Sequence, residues 1–269
     1  MNRAADRTVS ATDRSEHYAW SKVPQATLAF WIVKILATTV GETGGDAVSM
    51  TMNLGYVIST LIFLAFFVVT LALQVRSSRY HPVFYWLVVV ATTTVGTTTS
   101  DMLDRTLKLG YVKSSIVELA LVLVVLFVWN RSTGGIEYDR ITTRKNEIFY
   151  WLTILVSNTL GTALGDFAAT DLGLGFQKGA LVFAVAIALV ALAYQFTHLP
   201  RAVLFWAAYV LTRPLGATLG DTLTKAHGAG GLNFSRITSS LIIAVAMALV
   251  VATTSLRKRA TITPAAAAH

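Results

Sequence analysis

Glu42 and Asp46 stand one helical turn apart in "GETGGD", at the end of an otherwise apolar run. Asp101, Asp166 and Asp221 stand near the ends of three further runs of the same kind. A charge at the centre of a bilayer costs about 2.5–3.5 kcal/mol even on the lenient insertion scale. Carboxylates placed there bind a cation, exchange a proton or pair with a basic side chain. Oxygen-bearing neighbours share their helix faces: Thr38, Thr97, Asn158 and Thr162. Cysteine is absent, so thiolate ligands, disulfides and iron–sulfur clusters are excluded. Carboxylate and hydroxyl oxygens suit hard ions. The five carboxylates are therefore candidate ligands of a metal such as manganese or magnesium, with the four neighbours as further ion ligands. Glu118, Lys34 and Arg213 also lie in apolar stretches and are candidate proton carriers or counter-ions. Lys34 and Arg213 are each expected within reach of Glu42, Asp46, Asp221 or Glu118, because an unpaired buried charge is costly.

The acids recur because their surroundings recur. An aromatic–Trp pair is followed ten residues after the Trp by Gly, and five residues later by Asp. Phe30-Trp31 leads to Gly41 and Asp46, and Tyr85-Trp86 to Gly96 and Asp101. Tyr150-Trp151 leads to Gly161 and Asp166, and Phe205-Trp206 to Gly216 and Asp221. Fourteen residues after the motif Gly comes another: Gly55, Gly110, Gly175 and Gly230. Such self-similarity at fixed period marks a repeat architecture. Each repeat holds a motif-bearing helix and a plain apolar one. At 100° per residue the motif positions fall on one polar face of the first helix. The motif glycines read as close-packing positions, with a helix bend that exposes carbonyls as the alternative. The tryptophans read as anchors at the membrane interface.

These elements must span a bilayer. Of 269 residues, 54% are hydrophobic and only 13% charged, and the mean hydropathy is +0.60. Stretches such as 56–75, 114–129, 178–196 and 237–253 are long and apolar enough to cross, or nearly so, where about 20 residues are needed. The expected fold is an all-α membrane protein of eight transmembrane helices, from four parallel two-helix repeats arranged as two halves. The boundaries are a flexible cytoplasmic tail (1–22), a first half (23–130), a basic linker (131–147), a second half (148–256) and a disordered C-terminal tail (257–269). Fourteen Lys and Arg lie in the tails and the loops between repeats, against six in the loops within repeats. The positive-inside rule then places both termini in the cytoplasm. It also accounts for the net charge of +8 without nucleic acid.

Four tandem two-helix repeats with one Trp each resemble a bacterial membrane family built on a repeat of unknown function, over roughly residues 20–256. The resemblance implies the eight-helix topology and a bacterial inner membrane, and brings no activity with it.

Enzyme chemistry finds little support. The G-x-G-D signature of intramembrane aspartyl proteases needs Gly three residues before Asp, where this chain has Thr43, Thr98, Ala163 and Thr218. No P-loop or dinucleotide motif is present, and no cofactor is expected. The expected function is proton-coupled secondary transport of a small cation, through a central cavity lined by the motif helices, with the bilayer as the other partner. A channel, a transporter of a small organic ion or an anion, and a structural or sensory membrane protein are the alternatives. Glu42→Gln is expected to remove transport and spare folding. Asp104 is expected to be a boundary residue of little consequence.

Overall fold

The computed structural model describes residues 21–137 and 141–266, with side chains to Leu256. The expected N-terminal tail falls outside the described residues except at 21–22, as do residues 267–269. Among the described residues the chain is helical, without strands. Eight long α-helices follow in order: α1 Leu28–Asp46, α2 Gly55–Arg76, α3 Pro82–Asp101, α4 Tyr111–Thr133, α5 Arg144–Asp166, α6 Gly175–Phe196, α7 Arg201–Thr224 and α8 Arg236–Ala266. Seven are long and apolar enough to cross a membrane; α1, which carries Lys34, Glu42 and Asp46, falls short. The chain is a helical, multi-pass membrane protein. The last helix continues to Ala266, so it enters the stretch expected as a tail.

Each boundary follows from local chemistry. Thr27 caps α1 by accepting from the Phe30 amide at 3.3 Å, and Thr143 caps α5 through the Asn146 amide at 3.2 Å. Both supply an acceptor for an amide that has no partner in the first turn. Pro82 opens α3, where its missing N–H costs nothing. In the first three repeats the helix passes directly from the motif Asp into a five-residue π-helical turn: Ala47–Thr51, Met102–Thr106 and Phe167–Asp171. The chain then reverses through the second repeated glycine. Gly55, Gly110, Gly175 and Gly230 all have φ between 69° and 84°, a region where a side chain is strained. That conformation is what the fourteen-residue glycine spacing encodes.

The motif helices form a closed ring. α1 packs against α3 and α7, and α5 closes the circle against the same two. The apolar helices form an outer layer, each covering the motif helix of the following repeat: α2 on α3, α4 on α5, α6 on α7 and α8 back on α1. The two helices of one repeat scarcely touch, so every repeat is completed by its neighbour. α3 packs on α5 across the linker as α1 packs on α3 within the first half, so the ring runs through all four repeats. Outward side chains of the outer layer are apolar and bare, among them Leu61 (60% exposed), Phe127 (66%), Leu189 (60%) and Leu241 (62%). A surface of that size without polar cover suits lipid.

Candidate functional site

The ring glycines fix the approach of the motif helices. A Cβ on Gly41 would lie 3.0 Å from the backbone carbon of Thr93, one on Gly96 2.9 Å from that of Asn158, and one on Gly216 2.9 Å from that of Thr38. On Gly161 it would press into Arg213 and meet Pro214 Cδ at 3.0 Å. In every repeat the residue three before the motif Gly thus sits against the motif Gly of the preceding repeat, and the fourth repeat is followed by the first. Gly45 meets Thr97 as Gly41 meets Thr93, so neighbouring ring helices run parallel. The glycines serve packing. The helices stay regular through them, and the irregular turn comes only after the Asp.

Parallel ring helices stack their inner residues in layers four residues apart, all of them buried. Phe30, Tyr85, Tyr150 and Phe205 form the first. Lys34, Val89, Ile154 and Tyr209 form the second. Thr38, Thr93, Asn158 and Arg213 form the third, and Glu42, Thr97, Thr162 and Ala217 the fourth. Asp46, Asp101, Asp166 and Asp221 complete the axis. The first layer closes one end: Tyr85 and Tyr150 share a hydrogen bond between hydroxyls at 2.7 Å, and Trp86, Trp151 and Trp206 pack around them. Those three tryptophans are buried, so they are core residues and not interfacial anchors.

The axis is packed with polar side chains rather than open. Arg213 is fully buried. Its Nη2 donates to Glu42 Oε2 at 2.8 Å, Thr97 Oγ1 at 2.6 Å and Thr162 Oγ1 at 2.6 Å, one residue from each of the other repeats. The expected pairing of Arg213 with a carboxylate holds. That of Lys34 does not. Lys34 is also fully buried, but its Nζ lies 3.4 Å from Asn158 Oδ1 and 4.2 Å from the centroid of the Tyr209 ring. Among the described residues no carboxylate comes within salt-bridge distance of it. Lys34 reaches Tyr209 in its own layer and Asn158 in the next, whereas Glu42 and Asp46 lie two and three layers away. Asn158 is held in turn by donating to Thr92 Oγ1 at 3.0 Å, and Thr38 donates to the Thr212 carbonyl at 3.1 Å.

Four parallel helices bring four negative dipole ends to the motif Asp residues. The compensating cations come from residues assigned to loops by the sequence. Arg105 holds Asp101 at 2.9 Å and Asp166 at 3.6 Å. Lys225 holds Asp221 at 3.1 Å and Asp46 at 3.0 Å, and Arg236 reaches Asp46 at 3.5 Å. Arg105 and Lys225 each stand four residues after their own Asp, where repeats one and three have Met50 and Thr170. That i,i+4 spacing was the signal in the sequence. Each clamps its own Asp to that of the next repeat.

Carboxylate oxygens of Glu42, Asp46 and Asp221 lie within 4.8 Å of one another, all three residues buried. Asp101 and Asp166 stand outside this cluster. Glu118 is buried on α4, off the axis, and meets neither Lys34 nor Arg213. Asp104, expected at the boundary, is only 8% exposed, because the π-helical turn folds it back towards Ser100 (3.5 Å).

A family described as a Repeat of Unknown Function (DUF347) matches the chain four times, over residues 29–80, 84–134, 149–199 and 204–260. The chain belongs to the DUF347 repeat family. Each DUF347 match takes in one ring helix and the outer helix after it, so the unit of sequence is not the unit of packing. No curated protein matches the chain, and no solved structure does.

Proposed function

We propose that this DUF347 protein is a secondary transporter for a cation, with a divalent such as Mn²⁺ or Mg²⁺ as the preferred substrate and protons as the coupling ion. The observation that carries the reading is the buried cluster of Glu42, Asp46 and Asp221 at the polar end of the ring. Three carboxylates with hydroxyls nearby form a hard-ion donor set. Thr97, whose hydroxyl lies 3.3 Å from Glu42 Oε2, supplies one more oxygen. Lys225 occupies this cluster as a tethered cation. It is partly exposed at the end of α7, so an incoming ion displaces it while Arg213 keeps its hold on Glu42. Glu42 and Asp46, one turn apart, take up a proton when the metal leaves.

Asp101 and Asp166, shared by Arg105, form the second half of the acidic end. Thr38, Asn158 and Thr162 line the path towards the aromatic layer. That layer shuts the axis, which favours alternating access over a standing pore. The protein sits in the bacterial inner membrane with eight spans and both termini cytoplasmic. A structural or sensory role is the second reading, favoured by the basic partner that each motif Asp already has.

Uptake by purified protein in liposomes, against a panel of metals with and without a pH gradient, decides between them. Saturable, pH-driven flux of a divalent supports transport. No flux of any metal, together with no metal binding, leaves the structural role.

A further inference from the structure

A second group of acids lies away from the axis, between α4 and the π-helical turn of repeat two. Glu118 is 3% exposed, and among the described residues neither of its carboxylate oxygens has a hydrogen-bond partner. It faces Asp104. Asp104 accepts from Ser100 on one oxygen and faces Ser114, while its Oδ1 is buried without a partner. The Ser115 hydroxyl, one turn before Glu118, is buried and unpartnered as well. Four unpartnered oxygens in one place are rare, since buried polar groups are almost always satisfied.

A cavity of about 250 Å³ adjoins this group, lined by Ser115 with Ile116, Leu119, Leu160, Leu164 and neighbouring apolar side chains. It lies beside the lipid-facing surface of α4, where Ile116 is 63% exposed. The charged neighbours of the pair are few. From the π-helical turns come Arg105 and Asp171, both beside Asp104, and from the start of α4 comes Tyr111; the α5 side chains that line the cavity, Leu160 and Leu164, are apolar. Arg105 is already committed to Asp101 and Asp166, so the pair keeps negative charge that a small cation or a proton can balance. The group is peculiar to repeat two: Phe63 and Phe183 stand where Glu118 does in repeats one and three, and Ser49, Ala169 and Thr224 stand in place of Asp104. The repeat fold therefore does not require it.

We propose that Glu118 and Asp104, with the hydroxyls of Ser100, Ser114 and Ser115, form a second cation site, off the axis, that takes a proton or a sodium ion. Two carboxylates and hydroxyl oxygens are the donors such an ion needs, and the lateral cavity, which of these residues reaches only Ser115, brings the membrane side to within one side chain of them. The site stands independently of the axial metal cluster.

The test uses the full-length protein in liposomes and dicyclohexylcarbodiimide, an apolar reagent that enters from lipid and modifies protonated carboxyls. Peptide mass spectrometry locates the adduct. Glu118 is the expected position, the adduct is lost in Glu118→Gln, and its rate of formation falls as the pH is raised. Sodium chloride against choline chloride at fixed pH separates the ions: protection by sodium assigns Na⁺, and pH dependence without protection assigns the proton. Asp104→Asn, which keeps the serine hydroxyls, changes the rate if the two acids share one ion. A rate indifferent to pH, sodium and Asp104→Asn overturns the proposal, as does the absence of any Glu118 adduct across the pH range. None of these readouts depends on transport, so they succeed or fail apart from the uptake assay.

Discussion

Arg213 and Glu42, 171 residues apart in the chain, meet at 2.8 Å in the centre of the ring. The pair joins the last repeat to the first. Breaking such a pair by removing one partner costs about 3–5 kcal/mol, because the other charge is left buried. Arg213→Met is therefore expected to lower stability by that order, and Glu42→Gln by less, since Thr97 and Thr162 still accept from the guanidinium. The double variant recovers much of the loss. Denaturant unfolding in detergent gives the three values, and a double variant no better than the worse single one sinks the argument. The sequence alone pointed to a Glu42→Gln variant that spares folding; with Arg213 as its partner the variant is expected to lose stability too, so loss of flux counts only beside its stability.

The glycines make a second comparison. A Cβ on Gly216 would press into Thr38, backbone included, whereas one on Gly44 would find only Ser240 Oγ at 3.9 Å. Overpacking of this kind costs typically about 1–3 kcal/mol. Gly216→Ala is expected to lower the melting temperature, and Gly44→Ala to leave it in place or raise it. Equal effects would mean that the ring helices do not approach as described.

Much of this arrangement was legible in the sequence, and the limits were physical. Repetition at fixed spacing exposed the ring glycines, the motif acids and the polar face, because each repeat solves the same packing problem. What repetition could not show was which repeat touches which. The outer helices cover the next repeat, a long-range choice that no local pattern records. Partners failed for the same reason. Arg105 and Lys225 counted as loop charges, although both stand one turn after an Asp, Arg105 in the π-helical turn and Lys225 just past the end of α7. The tryptophans looked interfacial because Trp favours that depth, but Trp86, Trp151 and Trp206 pack inward against Tyr85 and Tyr150.

Lys225 offers a third prediction. It bridges Asp46 and Asp221 at 3.0 and 3.1 Å, inside the cluster proposed for the metal. Lys225→Met removes the resident competitor. Mn²⁺ affinity is then expected to rise by roughly tenfold, a change of about 1.4 kcal/mol, while transport slows because the ion is no longer displaced on release. Calorimetric titration and uptake measured on the same preparation check the two halves. Weaker binding in Lys225→Met would show that the ammonium helps to build the site instead of occupying it.

Lys34 makes the last prediction. A fully buried ammonium whose contacts are one amide oxygen at 3.4 Å and the face of Tyr209 is poorly compensated. Cation–π attraction returns about 2 kcal/mol at best when desolvated, below the several kcal/mol that burying an ion costs. Met fills nearly the same volume with no charge to desolvate and would pack among Val89, Ile154 and Tyr209. Lys34→Met is therefore expected to stabilise the protein by about 1 kcal/mol or more. A residue kept against stability between the polar layers and the aromatic end is expected to serve passage of the ion, so flux should fall in the same variant. Melting temperature and uptake are measured together. Stabilisation with unchanged flux would leave Lys34 without a part in transport, and destabilisation would mean that Asn158 and Tyr209 compensate the charge better than their geometry implies.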